Sequence, residues 1–349
     1  MKIILDCERM KYPNTGLFEY CHQLGLALIQ TRDKRDELDI YIQKENQKHF
    51  PKSINFLNQK SIHKYLFPGL DSDVDVWHAT HQSTWYLPPK NRNMKQVLTV
   101  HDLNFLYEEK TDTKRLNYLK SLQQKINLAD HIVAISEFTK SDVLKHLKVD
   151  KPITVIYNGC KVKNFAQFDQ PRFRTSNRFI FALGSVNPKK NFHTLPCLIK
   201  DNKLELVIAG NPSRDYQERI YKEAKLYGVT DRVKVIGPIT EEEKYWYYKH
   251  CSAFALPSIA EGFGIPVIEA MSFGKPVFLS TSTSLPEIGG EFANYFENFS
   301  PEHMTEVFIA GMRKHCDLNL SPALIKYASK FDWKYSAEAY WKVYQSLAT

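Results

Sequence analysis

Short apolar runs alternate with helix-length amphipathic stretches along the whole chain. Residues 2–5, 39–42, 75–79, 96–100, 131–135 and 154–157 read as one set of strands. Residues 179–183, 204–209, 233–236, 253–256 and 277–280 read as a second. Each run is bounded by polar, Gly or Pro positions. Strands that are apolar throughout and separated by helices are the pattern of a parallel sheet covered on both faces. The pattern is written twice, so it predicts two Rossmann-like α/β domains. Between the two sets, residues 160–177 lose periodicity and hold Asn164, Gln167, Asp169, Gln170, Pro171 and Ser176, the expected linker. The predicted division is 1–170, 171–330, and a final helical stretch at 331–349.

Length agrees with this, because 349 residues exceed what one core usually serves. Two such domains facing each other would put the carboxyl ends of both sheets on one cleft, where open α/β sheets bind ligands. Composition adds little beyond class: 43% hydrophobic and 25% charged residues are ordinary for a soluble globular chain. No apolar run approaches the roughly 20 residues that cross a bilayer. The N-terminal Met1-Lys2 leads into too short an apolar run for a signal peptide, so a cytoplasmic protein is expected. The cysteines are scattered and none forms a Cys-x-x-Cys pair, so they read as small buried hydrophobes. The net charge of +8 is spread over both halves, unlike a dedicated nucleic-acid binder. It suits an anionic small substrate, an anionic membrane surface, or simple solubility.

The candidate chemistry centres on Glu261-Gly-Phe-Gly-Ile-Pro-Val-Ile-Glu269. An apolar strand runs into a glycine loop, and Pro266 opens a helix, where its missing N–H costs nothing. Glycines at 262 and 264 let backbone N–H groups approach a ligand, and a helix start favours an anion such as a phosphate. Glu261 and Glu269 would be repelled by that phosphate. They suit sugar and ribose hydroxyls, which donate to carboxylates.

With Phe273-Gly-Lys-Pro-Val277 and Leu285-Pro-Glu-Ile288, the passage resembles the signature of retaining GT-B glycosyltransferases of family 4, the bacterial surface-polysaccharide type. The resemblance covers most of the chain. It implies the GT-B fold, with 1–170 as acceptor-side domain, 171–330 as nucleotide-sugar domain and 331–349 as a helix packing back across them. It places the donor sugar at Glu261, the ribose at Glu269, and the sugar and phosphates along Gly262, Phe263, Gly264 and Ile265. Phe181-Ala-Leu-Gly-Ser-Val-Asn-Pro-Lys-Lys-Asn191 resembles the element that supplies cations to the diphosphate, so Lys190 is expected to neutralise the leaving group and Lys189 to assist. Ser185 stands where many members carry Arg. His101, ending the strand 96–100, matches a histidine near the donor sugar, with Asp102 either fixing its tautomer or capping the next segment. Gly16 belongs to a loop resembling the one that approaches donor phosphate and acceptor. The base pocket is expected around Gly210, Pro238 and Ile239.

The implied reaction moves a sugar from a nucleoside diphosphate sugar to a hydroxyl of a surface glycan or lipid-linked saccharide, with no cofactor. The alternatives are a nucleotide-sugar epimerase and a nucleotide- or glycan-binding protein on the same fold. Asp71-Ser-Asp73 and Asp73-Val-Asp75 fit a metal-binding Asp-x-Asp pattern, but a polar loop entering a strand produces it by chance, and no metal is expected. Thr240-Glu-Glu-Glu243 reads as a capping box, with the aromatic run 245–248 as packing on that helix. Residues 111–128, with Lys114, Arg115, Lys120 and Lys125, read either as an amphipathic surface helix or as one touching an anionic membrane.

Overall fold

The computed structural model describes all residues except 14, 68, 70–72, 90–93, 109, 164, 166, 167 and 349. The chain forms two compact units, Met1–Gly159 with Phe331–Thr349, and Cys160–Lys330.

The first unit runs β1 (Lys2–Asp6), α1 (Gly16–Thr31), β2 (Glu37–Ile42), β3 (Phe56–Asn58), β4 (Val76–Ala79), β5 (Lys95–Val100), α2 (Asp112–Leu128), β6 (His131–Ala134), α3 (Glu137–His146) and β7 (Ile153–Val155). All strand pairs are parallel, in the order β3-β2-β1-β4-β5-β6-β7. Because successive side chains leave a strand on opposite faces, Ile3 and Leu5 enter one core while Ile4 enters the other.

The second unit continues with β8 (Phe179–Leu183), β9 (Glu205–Ala209), α4 (Arg214–Leu226), β10 (Val233–Gly237), α5 (Glu241–His250), β11 (Ala253–Leu256), α6 (Ile265–Ser272), β12 (Val277–Ser280), α7 (Leu285–Gly289), β13 (Asn294–Phe296), α8 (Pro301–Asp317) and α9 (Ser321–Ala328). Its parallel sheet has the order β10-β9-β8-β11-β12-β13. β11 is buried along its whole length, as a strand covered on both faces must be.

The chain then returns. α10 (Trp333–Ala348) packs in the first unit against α1, burying Tyr340, Trp341 and Tyr344 beside Leu24 and Leu28. A polar chain ties it down. Tyr340 Oη meets Tyr20 Oη at 2.6 Å and Thr99 Oγ1 at 3.0 Å, and Tyr344 Oη meets His78 Nδ1 at 2.7 Å. Each of these polar groups finds a partner, which is what makes burying five such side chains tolerable.

Three readings change. The edge strands β3 and β13 are three residues each, too short for any alternation to show in the sequence. The expected linker is a strap on the second unit: Phe165 stacks on Tyr245 at 5.7 Å, Trp246 Nε1 donates to Asp169 at 3.1 Å, and Arg172 pairs with Glu243 at 3.1 Å. The division therefore falls at 159/160, not 170/171; Asn164 and Gln167 lie outside the described residues. Finally, Cys316 is exposed, unlike the buried Cys7, Cys21, Cys197 and Cys251.

Candidate functional site

In the second sheet the chain grows from β8 outward to β9 and β10, then returns to β8's other side with β11. The crevice between β8 and β11 is thus the switch point, where the loops above two neighbouring strands part. Lys190 lies on the loop after β8 and Glu261 on the loop after β11. Lys190 Nζ stands 2.5 Å from Glu261 Oε1, with both side chains about one-eighth exposed. The two loops are also joined by backbone, Ile259 N–H donating to Lys189 O at 2.9 Å.

The loop after β11 is clipped from β12's side. Glu261 N–H donates to Thr283 Oγ1 at 2.8 Å, and Ser284 Oγ donates to the carbonyls of Glu261 and Phe263 at 2.9 and 3.2 Å. Gly264 then takes φ +103°, and a Cβ there would lie 3.1 Å from Leu285 Cδ2. This left-handed residue caps α6, with Pro266 in its first turn. The Phe263 side chain is buried, so what Gly262, Phe263 and Gly264 can offer a ligand is chiefly backbone. Ile265 is partly exposed.

Glu269, one turn into α6, is buried. Its Oε1 meets Lys244 Nζ at 2.6 Å and its Oε2 accepts from Tyr248 Oη at 2.9 Å. Burial works against the Lys244 charge, but Glu269 outweighs it and holds the ammonium above its ordinary range. Each of the two carboxylates therefore has its own lysine. An ionised carboxylate has about four lone-pair sites, so both retain capacity for hydroxyl donors.

Lys244, Tyr248, Thr283 and Ser284 were missed in the sequence. The capping box does form, Thr240 Oγ1 accepting from Glu243 N and Glu243 Oε2 from Thr240 N. It sets the register of α5, but spacing within α5 does not show that Lys244, just past the box, faces Glu269 on α6. Reading 245–248 as packing holds, since all four rings are buried and Tyr248 packs against Phe181, Phe254 and Phe273; its hydroxyl also serves Glu269.

Gly210 has φ +137°, and a Cβ there would fall 1.8 Å from Gly184 O. Its role visible in the structure is this contact between the loops after β8 and β9, which also pair through Val186 and Pro212. Ser185 is exposed on the first of them. Pro238 is exposed and its carbonyl accepts from the Arg172 guanidinium; Ile239 is partly exposed. A cavity of about 330 Å³ lies beside β10, lined by Arg172, Tyr221, Lys234 and Glu243 among others, but not by Gly210, Pro238 or Ile239. It does not coincide with the expected base pocket.

His101 and Gly16 belong to the first unit. His101 is buried, its Nε2 is 2.8 Å from Thr80 O, and the Tyr20 ring meets it edge-on at 4.5 Å. A carbonyl can only accept, so Nε2 carries the proton and Nδ1 keeps its lone pair. Burial lowers its pKa to about 4, against the Thr80 hydrogen bond that favours the charged form. Thr80 thus fixes the tautomer, while Asp102 Oδ1 accepts from Asn104 N–H and caps the next turn. Gly16 opens α1 behind the Thr15 cap, and a Cβ there would meet nothing within 4 Å, so no steric need for glycine is visible.

The first sheet's own switch point lies between β1 and β4. There Asp6 accepts from Thr84 Oγ1 at 2.9 Å and from Glu8 N at 3.0 Å, and Arg9 donates to Ser83 O at 2.5 Å. Burial, helped by neighbouring Glu8, raises the Asp6 carboxyl to about 7.

Asp73 and Asp75 both turn to Lys2, at 3.3 Å and 2.7 Å; Asp71 lies outside the described residues. Among the described residues no three His, Cys, Asp or Glu are grouped to hold a metal, and no helix is long and apolar enough to cross a membrane. α2 buries Leu122 and Ile126 and exposes Leu116 and Tyr118 near Lys114 and Lys120. Lys125 is half-buried over the Trp85 ring, 5.8 Å from its centroid.

Residues 163–330 match the family model described as Glycosyl transferases group 1, and residues 30–163 the one described as Glycosyltransferase Family 4. O-antigen chain mannosyltransferase B of Escherichia coli is 25% identical over 328 residues, 83% of this chain and 85% of that one. Sucrose-phosphate synthase from Thermosynechococcus elongatus shares the fold with a TM-score of 0.74 at 19% identity, over 99% of both chains. Anabaena Alr3699/HepE, solved in complex with UDP and glucose, gives 0.67 at 16% identity, over 99% of this chain and 100% of that one.

Proposed function

This chain belongs to the family 4 glycosyltransferases of GT-B fold, and we propose that it transfers mannose from a nucleoside diphosphate donor to a hydroxyl of an O-antigen-type glycan or its lipid-linked precursor, with retention of anomeric configuration. The Lys190–Glu261 pair at the β8/β11 switch point carries this reading. The mannosyl and O-antigen parts rest on likeness to the Escherichia coli mannosyltransferase.

In this reading the donor diphosphate settles at the Gly264-capped start of α6 and draws Lys190 away from Glu261. The lysine then neutralises the departing diphosphate, the largest contribution expected in such a site. Glu261, released, accepts from the sugar hydroxyls, and Glu269 accepts from the ribose. The bond from the anomeric carbon to the leaving phosphate oxygen breaks as the acceptor oxygen bonds to the same face. The acceptor proton passes to that phosphate oxygen. His101, held neutral, is the residue the family resemblance assigns to the donor sugar. Peripheral contact with an anionic membrane belongs to the same reading, since a lipid-linked acceptor lies there.

The test is transfer of labelled mannose from GDP-mannose to lipid-linked acceptor extract, with a thermal-shift series over nucleoside diphosphates. A ligand bound by the native state raises its apparent stability. Stabilisation by a nucleoside diphosphate and labelled glycolipid are expected. Donor isomerisation without acceptor would make the protein an epimerase, and nucleotide binding without any turnover would make it a binding protein.

A further inference from the structure

One short turn of the first unit holds three large apolar side chains in solvent. Between β3 and β4, Ser61–Lys64 form a 3-10 turn in which Tyr65 N–H and Leu66 N–H both reach Ile62 O at 3.0 Å. Ile62 is 57% exposed, Tyr65 88% and Leu66 71%, and Lys60 and Lys64 beside them are exposed.

The turn is fastened from inside. Buried Gln59 donates through Nε2 to Tyr86 Oη at 2.6 Å. His63 Nδ1 meets Tyr41 Oη at 2.9 Å, and the Phe67 ring packs edge-on against buried Trp77 at 5.0 Å. Both feet and the middle are pinned, so the alternate residues are held outward. Trp85, next in the chain to the Tyr86 that anchors Gln59, is itself 67% exposed.

A sugar or nucleotide needs hydrogen-bonding groups and has no use for two aliphatic prongs. The surface of a bilayer rewards this combination: aliphatic side chains reach the acyl boundary, aromatic rings sit at headgroup level, and lysines extend to lipid phosphates. The protein's net charge of +8 favours an anionic leaflet. We propose that the turn 60–66 is an anchor that inserts into the surface of an anionic phospholipid bilayer. It rests on the reading of a lipid-linked acceptor, and it differs from α2, whose cations Lys114 and Lys120 flank a more dispersed apolar pair.

The experiment is flotation of the full chain with vesicles of phosphatidylcholine alone and of phosphatidylcholine mixed equally with phosphatidylglycerol. Wild type is expected to float with the mixed vesicles only. The variant Ile62→Ser/Tyr65→Ser/Leu66→Ser is expected to lose at least about tenfold in partition. Lys60→Gln and Lys64→Gln should lose about fivefold each, whereas Leu116→Ser/Tyr118→Ser should float like wild type. All of these side chains are exposed, and an unchanged nucleotide thermal shift checks that each variant is folded. Absence of wild-type flotation, equal flotation with neutral vesicles, or wild-type flotation of the triple serine variant would overturn the anchor. Failure of the transfer reading appears separately, as lack of nucleotide stabilisation or of labelled product.

Discussion

Lys190 Nζ lies 2.5 Å from Glu261 Oε1, so the cation expected to meet the donor's diphosphate already has a carboxylate partner. A phosphate approaching Lys190 competes with Glu261. Lys190→Ala is expected to lower kcat by about 10²–10³, the usual scale for losing one group that stabilises developing charge. Glu261→Gln is expected to tighten nucleoside diphosphate binding severalfold while still reducing transfer, because it frees the lysine but weakens the acceptor for sugar hydroxyls. Calorimetric titration with the nucleotide and initial rates measure both; near-normal turnover in the two variants would remove this pair from the mechanism.

Glu269 is the carboxylate assigned to the ribose, and both of its oxygens already have donors. Glu269→Ala is expected to weaken nucleotide binding roughly tenfold to a hundredfold, the worth of hydrogen bonds to a charged group, and to strand the Lys244 ammonium. Tyr248→Phe should do less, since it removes one supporting donor. If nucleotide affinity survives Glu269→Ala, the ribose is held elsewhere.

His101 has a pKa lowered by burial to about 4, against 6.5 for an ordinary imidazole. It is therefore neutral from pH 6 to 8, and the pH–rate profile should show no inflection from it in that range. The linkage has the matching sign. Below 6.5 the unfolded chain takes the proton first, so this group's contribution to stability is lost as pH falls from about 6.5 through about 4. An acid limb near 6.5 that disappears in His101→Gln would contradict the neutral assignment.

Asp6 behaves oppositely. Its carboxyl stays protonated to about 7 in the fold, against 3.8 ordinarily, so the folded chain holds an extra proton between those values. That favours folding at the acid end, and the contribution is lost as pH rises from about 4 to about 7. Asp6→Asn, neutral throughout, should gain stability over wild type on going from pH 5 to pH 8, on the order of 2 kcal/mol. Melting curves at the two pH values decide it, and a difference independent of pH would mean Asp6 is ionised in the fold.

The sequence carried the repeated strand–helix pattern, and every strand it predicted is there, because buried parallel strands are apolar throughout. It could not carry β3 and β13, whose three residues are recruited by a neighbouring edge. The residues of the 261–269 segment were visible as glycine, proline and charge at telling positions. Their partners were not. Lys244, Tyr248, Thr283 and Ser284 serve Glu269 and the 261–263 loop from elements distant in sequence, and nothing local marks a lysine in a helix as facing a carboxylate. The strap at 160–177 misled for a related reason: polar, aperiodic sequence looks like linker until Glu243 and the α5 aromatics supply something to pack on.

The return of α10 to the first unit has a consequence for synthesis. Tyr340, Trp341 and Tyr344 complete a core whose other members, such as Leu24 and Leu28, leave the ribosome some three hundred residues earlier. Until α10 emerges, that face of the first sheet is covered in part, by α1, and the hydroxyls of Tyr20 and Thr99 lack the Tyr340 partner. The second unit, being one continuous stretch, can finish folding first. A chain truncated after Lys330 should therefore expose apolar surface in its first unit, where α10 would have packed. The first unit is thus translated first and completed last.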